Sequence, residues 1–203
     1  EPIQIGAELY GEAGVAADLE ILQLMQQALA ACDIAAFQLD IGHVGVYRAL
    51  AREAHLDGAV EHELFGALQA KDASAVAVLT AGLPIALRDA FAALPRLYGD
   101  RSVLGEARSC LPQLPAVEAA LDVLDAIDRE LGETDLAYDL AELRGYGYHS
   151  GVVFAAYAGG RSHAVAQGGR YDEVGRVFGR ARPATGFSMD LRELVRAGAP
   201  TGQ

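Results

Sequence analysis

The sequence predicts an α+β fold: a mixed or antiparallel sheet flanked by helices, with a run of short helices set into its middle. Three observations predict it. Alternating or apolar segments of strand length recur near both ends of the chain, at 3–10, 37–41, 136–143, 152–157 and 163–167. Two long segments, 15–31 and 114–131, carry the apolar stripe of amphipathic helices. The two kinds of element do not alternate as regular βαβ units, which argues against a parallel doubly wound sheet. With 203 residues, 52% of them hydrophobic, the chain has material for one domain with a sizeable core.

In chain order, Ile3 to Tyr10 alternates apolar with small or polar residues, as a strand does. Side chains alternate with period two, so Gln4, Gly6 and Glu8 share one face. Two polar residues on one face either line a pocket or mark the exposed side of an edge strand. Val15 to Ala31 is a helix whose buried stripe is Ile21, Leu22, Met25, Ala28 and Leu29. Asp18 and Glu20 stand near its N-terminus, where carboxylates suit the helix dipole. Phe37 to Ile41 is a strand. Gly42-His43 breaks it, and a helix resumes over Val44 to Ala54, with His43 a loop or cap residue of no assigned chemistry. From Gly58 to Cys110, Ala and Leu dominate between breaks at Gly66, Gly82-Leu83-Pro84, Pro95 and Gly99, which reads as a run of short helices.

Leu114 to Leu131 is a longer helix, with Pro115 tolerated in its first turn. Its stripe is Leu114, Val117, Leu121, Leu124, Ile127 and Leu131. Glu118, Asp122, Asp125 and Arg129 on the other face read as solvated surface. Leu136 to Leu143 is a strand. Val152–Tyr157 and His163–Gln167 form a hairpin, and Tyr171 to Phe178 a short helix. Ala184 to Arg196 reads as a last helix, with Phe187, Leu191, Leu194 and Val195 inward.

Composition excludes several function classes. The net charge is −12, which argues against a broad nucleic-acid surface. A local basic groove stays open, because 8 of the 16 Lys and Arg residues lie between Arg144 and Arg196. No apolar run approaches the roughly 18 residues of a membrane span. Cys32 and Cys110 form no CxxC pair, which fits free thiols in a reducing cytoplasm. The five histidines form neither HExxH nor a Cys/His cluster, so no metal is expected. No GxSxG or GxxxxGK[ST] motif is present, and the only lysine, Lys71, sits in a polar turn. The chain opens Glu1-Pro2 without methionine and passes straight into a strand, so a fragment lacking its N-terminal part is expected.

The remaining signal is concentrated between Glu142 and Leu194. Arg144, Tyr146, Tyr148, His149, Arg170, Tyr171 and Asp172 stand among Gly145, Gly147, Gly151, Gly168 and Gly169. Glycines beside aromatics and an arginine suit a pocket for a small polar molecule. Hairpin turns with half-buried tyrosines give the same pattern.

The order of these pieces resembles the histidyl-tRNA synthetase family: Arg144-Gly145 through Tyr148-His149, then Gly168-Gly169-Arg170-Tyr171-Asp172, then Gly186-Phe187. The resemblance covers most of the chain and extends to that family's branch of synthetase-like regulatory subunits of ATP phosphoribosyltransferase, which do not charge tRNA. It implies a class II aminoacyl-tRNA synthetase-like domain over residues 1–203, N-terminally truncated, with a helical insertion at about 58–110. It also implies a histidine-like ligand pocket built from Gln4, Glu8, Arg144, Tyr148, His149 and Tyr171, with histidine acting either there or at the interface with the partner subunit. Gln4 and Glu8 would face an amine or imidazole, and Arg144 a carboxylate.

The same resemblance marks departures. Gly147 replaces an acidic residue and His149 a second tyrosine. At the start of the last helix, Asp190-Leu191-Arg192-Glu193 stands where the synthetases carry a Gly-Leu-Glu-Arg-like segment whose arginine helps seat ATP phosphates. A carboxylate about 4 Å from a phosphate charge costs about 4 kcal/mol at an effective dielectric near 20. The resemblance therefore implies a non-catalytic, cofactor-free cytoplasmic subunit. It would bind the catalytic subunit of ATP phosphoribosyltransferase in a hetero-oligomer, respond to histidine and self-associate, with no nucleic acid or membrane as partner. A synthetase catalytic fragment and a stand-alone amino-acid-binding module are the competing readings.

Overall fold

The structure, a computed structural model, describes residues 3–132, 134–143, 145, 147–160 and 163–198. Its elements run β1 (Gln4–Tyr10), α1 (Val15–Ala31), β2 (Phe37–His43), α2 (Val44–Glu53), α3 (Gly58–Gln69), α4 (Ala73–Thr80) and α5 (Ile85–Ala93). They continue with β3 (Tyr98–Gly99), α6 (Ser102–Cys110), α7 (Pro115–Leu131), β4 (Asp135–Asp139), β5 (Val152–Ala158), β6 (Ala166–Arg170), β7 (Ala184–Asp190) and α8 (Leu191–Gly198). The strands form one sheet in the order β1-β7-β6-β5-β2-β4-β3. Only β2 and β4 pair in parallel; the other neighbours are antiparallel, so the sheet is mixed, as the sequence predicts.

The apolar stripes of α1 and α7 account for the covered side of the sheet. Ile21, Leu22, Met25 and Leu29 of α1 are buried, as are Val117, Leu121, Leu124, Ile127 and Leu131 of α7. They pack in one cluster with Leu39, Ile41, Phe154, Ala156, Phe187 and Met189 from the strands. A fully buried Leu of this kind stabilises the fold by about 1.5–3 kcal/mol. The polar face of α7 is more than a solvated surface: Glu118, Asp122 and Asp125 pair with Arg108 of α6.

The short helices start where the sequence supplies caps. Asp57 accepts from the backbone N–H of Ala59 and Val60 at the head of α3, and Asp72 does the same for Ser74 and Ala75 at α4. Lys71, on the turn between them, reaches Asp139 of β4 at 3.0 Å and lies over the Tyr98 ring. It ties this helical run to the end of the sheet.

Four expectations are corrected. Ala184 to Asp190 is strand β7, not helix, because β1 and β6 pair with it on both sides; only Leu191–Gly198 is helical. Val195 is accordingly 73% exposed rather than inward. The strand expected at 163–167 lies at Ala166–Arg170, so Gly168 and Gly169 are strand residues between β5 and β7 rather than turn residues. The strand expected at 136–143 ends at Asp139, whose carboxylate accepts from Ala141 N–H and turns the chain. Gly42-His43 is the end of β2 rather than a break after it, while the cap reading of His43 holds: its Nδ1 accepts from Gly45 N–H at the head of α2.

Candidate functional site

The face of the sheet opposite the α1 stripe carries the site. Across it, Glu8 of β1 lies opposite Gly186 of β7, Gly186 opposite Gly169 of β6, and Gly169 opposite Val153 of β5. The two glycines keep the floor low between the side chains of Glu8 and Val153. At Gly169 no larger residue fits: a Cβ there would stand 2.8 Å from His149 Cδ2 and 2.6 Å from the Val152 carbonyl oxygen. The His149 ring therefore rests on the strand, which brings the loop carrying Tyr148 and His149 over the sheet.

The resulting cavity has a volume of about 300 Å³. It brings together four of the expected pocket residues, Glu8, Tyr148, His149 and Tyr171. The Tyr148 and Tyr171 rings lie 4.8 Å apart, and His149 meets Tyr148 edge-on at 5.4 Å. Gln4 lies outside this cavity. It lines an adjoining groove with His163, Asp190 and Glu193, and the two spaces share Gln167 and Ser188. Arg144 falls outside the described residues. Sequence reasoning did not single out Glu142, Gln167 or Ser188. The period-two alternation that pairs Gln167 with Gly169 on one face was the signal that could have found Gln167.

The chemistry of the walls is acidic and phenolic. Glu8 and Glu142 supply carboxylates, and no Lys or Arg among the described residues lines the cavity. The Tyr10 hydroxyl donates to Glu8, and that contact holds the Tyr10 phenol above its ordinary value. Burial, reinforced by Glu8 and Tyr10, pushes the Tyr171 phenol far above its ordinary value, so Tyr171 is a neutral hydroxyl. Burial raises Tyr148 too, with Glu8 and Tyr10 adding to it. Tyr171 is 7% exposed, and its hydroxyl has no hydrogen-bond partner of good geometry among the described residues. Leaving a buried hydroxyl without a well-aligned partner costs about 1–3 kcal/mol, so a polar atom entering the cavity would be favoured there. Carboxylates and phenols together suit a hydrogen-bond donor or a cation, such as an amine or an imidazole. Among the described residues no group of three or more His, Cys, Asp or Glu could hold a metal, and no helix is long and apolar enough to cross a membrane.

The Gly-Gly-Arg-Tyr-Asp segment divides its labour. Tyr171 points to the cavity, while Arg170 is buried on the covered side against Asp18 of α1. Asp172 bridges Arg170 and the Ala184 N–H.

The groove beside the cavity ends at the first turn of α8. Asp190 Oδ1 accepts from Arg192 N–H at 2.8 Å and more weakly from Glu193 N–H at 3.4 Å. The helix end that would otherwise offer N–H groups to an anion is thus filled by the chain's own carboxylate. Glu193 in turn pairs with Arg196.

A mixed sheet with one helix-covered face and one face carrying the ligand cavity is the architecture of the class II aminoacyl-tRNA synthetase domain. The chain belongs to the histidyl-tRNA synthetase family, whose model matches residues 1–194. It is 78% identical over 199 residues to an ATP phosphoribosyltransferase regulatory subunit of Thiobacillus denitrificans, a match covering 98% of this chain and 62% of that protein. It is 58% identical over 195 residues to a protein of the same description from Ralstonia nicotianae, covering 96% and 50%. Among solved structures it superposes with a TM-score of 0.85 on an ATP phosphoribosyltransferase regulatory subunit/histidyl-tRNA synthetase from Bacillus halodurans C, at 29% identity, covering 96% of this chain and 52% of that one. The chain thus spans between half and 62% of the length of these proteins.

Proposed function

We propose that this chain is the synthetase-like body of a non-catalytic regulatory subunit of ATP phosphoribosyltransferase, serving the first step of histidine biosynthesis. The names of the two relatives support the regulatory role. The observation that carries the non-catalytic part is the closed N-terminus of α8. Asp190 occupies the N–H groups that could meet a phosphate, and Glu193 adds a second negative charge beside them. Repulsion of a triphosphate and loss of its donors act in the same direction.

The cavity is the proposed histidine pocket. Glu8 and the Tyr171 hydroxyl face the amine or imidazole. Tyr148 and His149 close over it, Gln4 approaches from the adjoining groove, and Arg144 takes the carboxylate. Residues 1–203 form one domain in this reading, with 58–110 as a helical insertion. The subunit works in the cytoplasm without a cofactor, self-associates through this domain, and meets neither nucleic acid nor membrane.

A subunit without chemistry of its own acts by binding the active state of its partner more tightly than the inactive state. Histidine reverses that preference, with a coupling of about 1–3 kcal/mol if it is typical of allostery. The test is reconstitution with the catalytic subunit. Transferase activity should rise on mixing and fall when histidine is added, with a complex on a sizing column. No complex and no change in activity would defeat the reading. Robust histidine-dependent ATP–pyrophosphate exchange by the intact subunit would return the chain to the synthetases.

A further inference from the structure

Neither Arg170 nor Asp18 lines the cavity, yet both of its walls connect to Arg170. Arg170 is 6% exposed and Asp18 2%. Arg170 Nε donates to both Asp18 carboxylate oxygens at 3.1 Å. Its remaining N–H groups reach the Glu12 and Gly14 carbonyls, at the entry to α1, and the Asp172 carboxylate. Every arm of the guanidinium is therefore committed.

From this node the chain reaches the cavity by two routes. Along β6 the side chains alternate: Gly169 faces the cavity, Arg170 the covered side, and Tyr171 the cavity again. Fixing Arg170 thus fixes the strand end that aims Tyr171. The second route runs through Ser150. Its N–H donates to the Arg170 carbonyl at 2.7 Å, and its hydroxyl accepts from Asp172 N–H at 2.9 Å. Ser150 directly follows Tyr148 and His149, so the opposite wall hangs from the same point. The segment leading into β5 makes room for the arrangement. At Gly151 a Cβ would stand 2.9 Å from Arg170 Cδ and 3.1 Å from its Cβ.

A buried ion pair is by itself weak evidence for stability. Burial pushes the Asp18 carboxyl above its ordinary value, and the Arg170 charge only partly draws it back. Buried pairs of this kind are often matched or bettered by apolar residues, and their best-attested use is to hold one arrangement against others.

We propose that Asp18 and Arg170 are positioning residues of the ligand pocket, setting the spacing of Tyr171 against Tyr148 and His149 from the far side of the sheet. The inference rests on the pocket reading above only for its ligand arm. The first arm uses no ligand: ring resonances of Tyr148 and Tyr171, assigned with Tyr→Phe variants, are followed by NMR in the intact subunit. Asp18→Asn, which keeps an acceptor but removes the charge, should shift both resonances and leave Tyr47 in place. Leu64→Ala, a core truncation in α3, serves as a control that also lowers stability. The second arm measures L-histidine affinity by calorimetry. Asp18→Asn should weaken it tenfold or more, Asp18→Glu should recover part of it, and Leu64→Ala should leave it within twofold. If Asp18→Asn lowers the melting temperature but moves neither resonance, or if Leu64→Ala moves them equally, the pair is structural only and the proposal is overturned. If the unmodified subunit binds no histidine, the ligand reading falls while the resonance arm still decides the positioning role.

Discussion

The His43 cap makes the fold sensitive to acid in a calculable way. His43 Nδ1 accepts from Gly45 N–H, so the cap requires a neutral ring. Burial, with the charges of Arg170 and Arg48 adding to it, lowers the His43 pKa from 6.5 to about 4. Between these values the unfolded chain takes up a proton that the folded chain refuses, so stability falls as pH falls. The contribution is intact above pH 6.5 and is lost progressively down to about pH 4. At pH 5 the two pKa values give a loss of about 2 kcal/mol relative to pH 7, approaching ~3 kcal/mol at pH 4. His43→Asn retains a side-chain acceptor at a helix start and removes the titration. Urea unfolding of both proteins at pH 7, 6, 5 and 4.5 isolates the effect, because other titrating groups, Asp18 included, are common to both. The natural protein should lose about 2 kcal/mol more than the variant between pH 7 and 5. Parallel curves for the two proteins would refute the reasoning, and so would a greater loss in the variant.

Three further variants have expected outcomes. Tyr171→Phe removes a buried hydroxyl that makes no hydrogen bond of good geometry among the described residues, so thermal unfolding should show unchanged or slightly higher stability. Calorimetry should show the same variant binding histidine about tenfold more weakly, a loss of about 1.4 kcal/mol. Gly66→Ala, in a helix where an added Cβ meets nothing within 4 Å, should stabilise by about 0.5–1 kcal/mol in urea titration. Gly169→Ala forces a Cβ against the Val152 carbonyl and the His149 ring, so it should destabilise by more than about 2 kcal/mol and also displace His149. A His149 resonance unchanged in that variant would count against the packing described.

Much of this architecture was legible because local patterns and tertiary packing agree. The stripe of α1 reads from Ile21, Leu22, Met25 and Leu29, and all four are buried. The last strand was not legible. Phe187, Leu191 and Leu194 fall four and three residues apart, so a helical period runs unbroken across a strand-to-helix switch at Asp190. What decides against helix at 184–190 is pairing with β1, from the opposite end of the chain, and with β6, across a connecting segment that no local period reveals. The cavity shows the same division. Tyr148, His149 and Tyr171 were visible because motif order groups them, and Glu8 because it alternates with glycine. The role of Arg170 was hidden, since its partner Asp18 lies 152 residues away and on the other side of the sheet. Asp18 itself looked like an ordinary dipole-compensating carboxylate.

The self-capped start of α8 makes one carboxylate serve two ends. Replacing Asp190 with glycine would withdraw a repulsive charge from the groove, but it would also strip the helix of the acceptor that holds Arg192 N–H. That step alone weakens the helix start by a few tenths to about 1 kcal/mol and gains nothing, because Glu193 still faces the groove. Replacing Glu193 alone leaves Asp190 closing the helix start. The carboxylate that lends its charge to the groove also holds the helix in place, so a change at Asp190 alters both at once.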